Sequence, residues 1–174
     1  MGKTVFILLV VAATFAAAQN RQPASPRGQA QFTFGDGKQI TADYGRPYMR
    51  GRKIMGGLLP YGQIWRTGAN AATGFVTTAD LNLAGARVPA GKYTLYTIPG
   101  EESWTVIINK QTGQWGLTYN QAQDLARVQI KPVRLAQPVE QFTISFQQRG
   151  PTAGVMKLEW ENTSVPIEFS EAKQ

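Results

Sequence analysis

Apolar and polar residues alternate with a period of two along much of the chain, which is typical of strands with one buried face. The alternation is clearest at residues 126–131, 142–147 and 156–161. Further runs rich in β-branched and aromatic residues span positions 31–34, 39–44, 63–67, 74–78, 93–98, 104–109 and 165–169. Because strands that alternate in this way have one solvated face, the pattern predicts half-buried antiparallel strands.

Turn-forming residues separate these runs. Gly, Pro, Asp and Asn, the usual turn residues, punctuate the chain at 35–37, 84–85, 89–91, 99–102 and 111–113. The only helix candidate is a turn or two around residues 119–124. About ten short strands at this spacing predict an all-β fold, an antiparallel β-sandwich that is jelly-roll-like and has at most one short helix. We expect one domain over residues 29–170, followed by a short tail over 171–174.

The N-terminus has the three-part build of a secretory signal peptide. Lys3 supplies a positive start, residues 5–15 are apolar, and three alanines at 16–18 form a small-residue cleavage site. The apolar run is shorter than the roughly 20 residues that span a bilayer. We therefore predict a signal peptide over 1–18, a flexible leader over 19–28, and export to the periplasm or beyond, with no transmembrane segment left after cleavage.

The amino-acid composition excludes several kinds of catalytic and structural site. The 174 residues include no His and no Cys, so disulfides, thiolate nucleophiles, a lipid-anchor cysteine, a Ser-His-Asp triad and imidazole-bound metals are excluded. We predict no catalytic residue, no metal site and no cofactor. The 18 basic residues outnumber the 11 acidic ones, which favours an anionic partner. Because the chain is expected to be exported, we predict no nucleic-acid partner.

One segment, residues 44–73, differs in composition from the predicted strands. Its many glycines and two prolines predict an irregular path, and arginines alternate there with aromatic residues. Guanidinium groups bind carboxylate, phosphate or sulfate in pairs of hydrogen bonds, and aromatic rings stack on sugars. We predict a binding site for an anionic or carbohydrate-like ligand, with Tyr61 and Trp65 as stacking surfaces and Asn70 as a directional hydrogen-bonding group. The candidate residues are Tyr44, Arg46, Arg50, Arg52, Tyr61, Trp65, Arg66 and Asn70.

Two other functions fit the same residues. A carboxylate-based hydrolase of glycans would need an acid in the cleft, and Asp43 and Asp80 are the nearest acids in sequence. Glu159 and Glu161, two apart on one predicted strand, are expected to share a solvated face. Alternatively, the domain is structural or binds proteins, and its arginines brace loops by bonding backbone carbonyls.

Several strings resemble one family closely. They are YGRPYMRGR (44–52), GLLPYGQIWRTGAN (57–70), VPAGKYTLYTIPGEESWTVIIN (88–109), QWG (114–116), DLARVQIKP (124–132) and LEWENTSVPI (158–167). Together they resemble a secreted bacterial family known as domain of unknown function 2911. The resemblance covers residues 25–169, implies a predominantly β extracytoplasmic domain, and implies no activity.

Two positions depart from that family's pattern. Ala71 stands where the family usually has an acid, and Arg27 stands where it usually has His. If those two side chains serve catalysis in relatives, this chain lacks them. The departures therefore favour binding over an enzymatic role.

Overall fold

The computed structural model describes residues 24–173, which form ten strands and a single turn of 3-10 helix at Gln121–Gln123. The strands are β1 (Arg27–Thr33), β2 (Gln39–Gly45), β3 (Thr73–Thr77), β4 (Leu81–Leu83), β5 (Ala86–Val88), β6 (Gly91–Ile98), β7 (Trp104–Asn109), β8 (Asp124–Ile130), β9 (Val133–Gly150) and β10 (Ala153–Glu171).

The strands form two antiparallel sheets. One has six strands in the order β1-β2-β3-β6-β7-β8, and the other has four in the order β5-β4-β10-β9. The long β9–β10 hairpin makes up most of the smaller sheet. The alternation read from the sequence explains this layering: β3, for example, buries Thr73, Phe75 and Thr77 and half-exposes the residues between them. The predicted all-β antiparallel sandwich is confirmed.

Aromatic side chains fill both ends of the space between the sheets. Near the β1–β2 turn, Phe32 makes edge-to-face contacts with Phe34 and Phe169 at 4.9 Å between ring centroids. At the opposite end the core includes Trp104 and Trp160, both almost fully buried. Edge-to-face aromatic pairs add stabilisation beyond the area they bury, so each end of the sandwich has its own rigid aromatic cluster.

The loop between β7 and β8 covers part of the outer face of the larger sheet. The hydroxyl of Tyr96, a residue buried outside the central core, donates to the Thr118 carbonyl oxygen at 2.8 Å. The loop is fixed at Tyr119, whose hydroxyl donates to Asp124 Oδ2 at 2.6 Å beside Arg127. Burial, followed by the hydrogen bond to that carboxylate, raises the pKa of Tyr119 to about 12. Tyr119 therefore stays neutral at ordinary pH and keeps its donor.

Local details differ from the sequence-based expectations. Residues 63–67 were expected to form a strand, but Trp65 makes only one bridge, to Thr97. The predicted helix around 119–124 is the single 3-10 turn. β1 begins at Arg27, inside the predicted leader 19–28. The predicted signal peptide lies outside the described residues, and within those residues no helix is long and apolar enough to cross a membrane.

A β-bulge separates the two glutamates of β10 that were expected to share a face. The register with β9 shifts between Glu159 and Glu161, and Glu161 has a left-handed φ of 53°. Glu159 accepts a hydrogen bond from Ser164 Oγ, whereas Glu161 accepts from the backbone N–H groups of Ile54 (3.2 Å) and Met55 (3.0 Å). The strand alternation behind the prediction does not hold here, and Glu161 instead ties a distant loop to β10.

We predict that Glu161→Gln lowers the free energy of unfolding by about 1–3 kcal/mol, because one buried backbone donor loses its charged acceptor. Urea denaturation followed by tryptophan fluorescence measures this. Glu102→Gln, at an exposed carboxylate in the β6–β7 turn, is the matched control and should stay within about 0.5 kcal/mol of the wild type. Equal stability of the two variants would contradict the role given to Glu161.

Candidate ligand-binding cleft

Residues 46–72, the crossing segment, run from β2 to β3 over one end of the sandwich. Trp65 anchors this segment. Its backbone exchanges hydrogen bonds with Thr97 of β6, at 2.7 and 2.9 Å. Its ring stacks on Trp160 at 5.9 Å and meets the ring edges of Trp104 and Phe142. The crossing segment is therefore fixed to both sheets at Trp65, in its second half.

A cleft of about 380 Å³, here called the first cleft, opens between the crossing segment and the sandwich end. Its polar groups come mainly from Arg52, Gln63 and Arg66, and its apolar wall includes Leu58 and Ile64. Leu58 and Ile64 are 45% and 41% exposed, which is high for large aliphatic side chains. None of the described residues that line the first cleft is acidic. Two uncompensated cations therefore face a partly apolar wall.

Arg66 is the least satisfied of the predicted arginines. Its Nε is buried and has no hydrogen-bond partner among residues 24–173. Its side chain lies against Gly116 of the β7–β8 loop, where an added Cβ would collide with Arg66 Cδ and with the Asn70 carbonyl oxygen. A buried donor without a partner is costly in a folded protein. Arg66 is thus held in the cleft wall with hydrogen-bonding capacity unused.

Arg52 also lines the first cleft, but part of its guanidinium is occupied. Nε donates to the Met49 carbonyl oxygen at 2.9 Å, and Nη2 donates to that of Tyr48 at 2.7 Å. These bonds use two of the five N–H donors that a guanidinium carries. Arg52 is exposed, so its remaining donors face solvent and the cleft. Its position is fixed by the loop, and its charge stays available.

The structure gives Arg46 and Tyr44 bracing positions. Arg46 donates from Nε to the Phe142 carbonyl oxygen (3.3 Å) and from Nη2 to Thr143 Oγ1 (3.0 Å). The Tyr44 hydroxyl accepts from the Ile144 backbone N–H at 2.8 Å and donates to its carbonyl oxygen at 3.3 Å. Burial raises the pKa of Tyr44. Neither residue lines the first cleft, and both hold β2 against β9.

The other predicted residues are dispersed. Arg50 is an exposed turn residue with φ 50°, and among residues 24–173 only its backbone N–H is engaged, by Glu140 Oε1. Asn70 has φ 65°, which fits the tolerance of Asn for left-handed turns. Trp65 is 9% exposed, and because its ring packs in the core it offers a ligand little surface. Tyr61 is 38% exposed and lies beside the first cleft rather than in it.

The acids required by the hydrolase hypothesis lie elsewhere. Asp43, on β2, pairs with Arg27 across the β1–β2 ladder. Asp80 pairs with Arg87 and accepts from the Ala90 backbone N–H at 2.8 Å. That backbone bond, followed by Arg87, lowers the pKa of Asp80, which opposes service as a general acid. Within residues 24–173 no cluster of three or more His, Cys, Asp or Glu side chains could hold a metal ion.

Sequence reasoning missed several groups that shape the cleft. Gln63, Leu58 and Ile64 lie in its wall, yet none of them carries a chemical signal apart from its place in the crossing segment. The contact between Gly116 and Arg66 joins residues fifty positions apart, which single-sequence periodicity does not report.

The fold and the cleft define a β-sandwich protein whose end loops enclose a cationic, partly apolar cleft. The model of a family described as "Protein of unknown function (DUF2911)" matches residues 25–169. The chain therefore belongs to this family, as the resemblance indicated. No curated protein and no solved structure matches the chain.

We predict that Gly116→Ala lowers the free energy of unfolding by roughly 1–3 kcal/mol, because the new methyl group overlaps the Asn70 backbone and the Arg66 side chain. Chemical denaturation measures the change. Gly74→Ala is the matched control, since its Cβ would meet only the Asp43 carbonyl oxygen at 3.8 Å, an ordinary contact. If Gly116→Ala is as stable as Gly74→Ala, the β7–β8 loop does not hold Arg66 in place.

Proposed function

We propose that the protein is an exported, non-enzymatic binding module that takes an anionic or carbohydrate-like ligand in the first cleft. The observation that carries the proposal concerns Arg66, a residue of the cleft wall whose buried Nε has no hydrogen-bond partner among the described residues. The same cleft is lined by Arg52 and, within residues 24–173, by no acid. An anionic group bound at this guanidinium would supply a hydrogen-bond acceptor that the described residues do not provide.

The physical character of the first cleft suits such a ligand. Two positive charges without a lining carboxylate attract anions, and the low-dielectric walls of a cleft strengthen that field. The exposed faces of Leu58 and Ile64 offer apolar surface for the ligand's non-polar side. Small-molecule sites commonly combine an apolar lining with a few fixed polar groups, in volumes of about 300–1,000 Å³. The first cleft, at about 380 Å³, has this size and this mixture.

The alternatives make different demands on the same residues. A hydrolase needs an acid in the first cleft, and neither Asp43 nor Asp80 lines it. In a purely structural domain the partly buried arginines brace loops, which describes Arg46 well. It leaves Arg66 unexplained, because the bracing role predicts a hydrogen bond from Nε to a carbonyl. The two non-enzymatic functions therefore assign different roles to Arg66: ligand binding in one, and bracing of a loop in the other.

Export is part of the proposal and rests on the sequence of residues 1–18. The apolar run and the alanine triplet are typical of a cleaved signal peptide, and the chain contains no Cys for disulfides or a lipid anchor. Cleavage would leave Gln19 as the first residue of the exported chain. Mass spectrometry of the exported chain measures this, and a mass that corresponds to a different first residue would contradict the predicted cleavage site.

We predict that Arg66→Gln weakens binding of glucuronate-containing oligosaccharides roughly tenfold to a hundredfold, since a hydrogen bond to a charged group contributes about 1.5–3 kcal/mol. Arg52→Gln is expected to weaken it in the same direction. Isothermal titration calorimetry on the purified protein measures the affinity. Thermal-shift assays with acidic and neutral oligosaccharides provide the initial screen.

Arg149→Gln is the matched control, because it removes the same charge from an exposed site beside the β9–β10 turn, at the far end of the sandwich. It should leave the affinity unchanged. If Arg149→Gln and Arg66→Gln weaken binding equally, the loss of affinity comes from the change in net charge and not from the first cleft. Binding by an Arg52→Gln/Arg66→Gln double variant at wild-type strength would remove the first cleft from the proposal.

A further inference from the structure

A second cleft of about 410 Å³ adjoins the first. The two clefts share four stretches of backbone, and at each stretch consecutive residues line different clefts. The residues in the first cleft are Arg52, Pro60, Pro99 and Trp160, and those in the second cleft are Lys53, Tyr61, Gly100 and Glu161. Since consecutive Cα atoms are about 3.8 Å apart, the two clefts have adjoining walls, and the four shared stretches are here called the ridge.

Tyr61 lies on this ridge and is held there. The backbone N–H of Gly62 donates to the Pro99 carbonyl oxygen at 2.9 Å, which ties the ridge to the β6–β7 turn. The ring of Tyr61 lies against Gly56, where an added Cβ would approach Tyr61 Cε2 to 2.8 Å. The side chain is still 38% exposed. A fixed, partly exposed aromatic ring is a preorganised stacking surface.

The two clefts differ in charge. The first is lined by Arg52 and Arg66, with no acid from the part of the chain that the structure describes. The second is lined by two cations and two acids, together with amide and hydroxyl groups. These residues are Lys53, Arg134, Glu101, Glu161, Asn162 and Thr163. A balanced set of donors and acceptors suits neutral hydroxyl-bearing groups, whereas the first cleft suits an anion.

Glu161 supplies a fixed acceptor in the second cleft. Its two carboxylate oxygens each accept one backbone N–H, from Ile54 and Met55. A carboxylate has about four lone-pair sites, so acceptor capacity remains for sugar hydroxyls. The same contacts hold Met55, which also lines the second cleft, so the wall and the acceptor are positioned together.

We propose that the ligand is an acidic oligosaccharide that spans both clefts, with its anionic group at Arg52 and Arg66 and its neutral sugar rings crossing Tyr61 into the second cleft. This inference rests on the proposed function of the first cleft and adds the chemical class and length of the ligand. A single sugar ring can occupy only one of the two clefts, so affinity must depend on chain length as well as on charge.

Calorimetry with three probes tests the proposal. The probes are glucuronic acid, the hyaluronan tetrasaccharide, which alternates acidic and neutral sugars, and chitotetraose, which has the same length without acids. The tetrasaccharide of hyaluronan should bind at least about tenfold more tightly than either of the others. Tyr61→Ala should weaken its binding by roughly threefold to tenfold and leave glucuronic acid unaffected. Tyr61→Phe, which keeps the ring, should retain the tetrasaccharide affinity.

The outcomes separate this inference from the function on which it rests. Suppose that glucuronic acid and the hyaluronan tetrasaccharide bind with equal affinity and that Arg66→Gln abolishes the binding of both. This result would overturn the proposal that the ligand spans both clefts, but it would leave the first cleft as a binding site. Chitotetraose binding as tightly as the hyaluronan fragment would overturn the acidic class. Absence of binding by all three probes would overturn both proposals. The comparison of chain lengths uses the wild-type protein, so it stands even if Tyr61→Ala fails to fold.

Discussion

The seating of Trp65 in the core is the interaction on which the candidate site depends. A long, glycine-rich connection over the open end of a sandwich has no regular hydrogen-bond ladder to define it. Here Trp65 provides one pair of backbone bonds to Thr97 and buries its ring among Trp104, Phe142 and Trp160. Because its neighbours in sequence line the first cleft, the geometry of the cleft follows from the packing of this ring.

The arginines around this anchor divide into two groups by their partners. Arg46 is used by the fold, since its guanidinium bonds a carbonyl and a hydroxyl of β9. Arg66 is held by contact with Gly116 but lacks a partner for Nε among the described residues. Arg52 is intermediate, braced by its own loop and still exposed. Arginines of one segment thus differ in their contacts: Arg46 is bonded within the fold, whereas Arg66 keeps unused hydrogen-bonding capacity among the described residues.

Much of the fold follows from the sequence, because period-two alternation directly reports which face of a strand is buried. The strands around Phe142 and Met156 were predictable for this reason. Alternation misled at residues 63–67, where Ile64 and Trp65 mimic a strand, and at Glu161, where a bulge interrupts the ladder. Both errors occur at irregular backbone, where tertiary contacts decide the conformation.

The candidate site was less predictable than the fold. The sequence singled out the segment that lines much of the first cleft, because arginine, aromatic residues and glycine are concentrated in it. It could not separate core aromatics from exposed ones. Tyr44 and Trp65 proved to be buried, while Tyr61 remained partly exposed. Glu161 and Gly116 come from distant strands and loops, and their contacts with the crossing segment are non-local. Residue type alone does not encode such contacts.

We propose that Arg66, and not the bracing Arg46, contacts the ligand. The most direct measurement is nuclear magnetic resonance of the arginine Nε–H groups in labelled protein during titration with the hyaluronan tetrasaccharide. Binding at Arg66 predicts a saturable shift of the Arg66 Nε–H signal with an unchanged Arg46 signal. A bound tetrasaccharide that leaves the Arg66 signal unmoved, or that moves Arg46 instead, would contradict it.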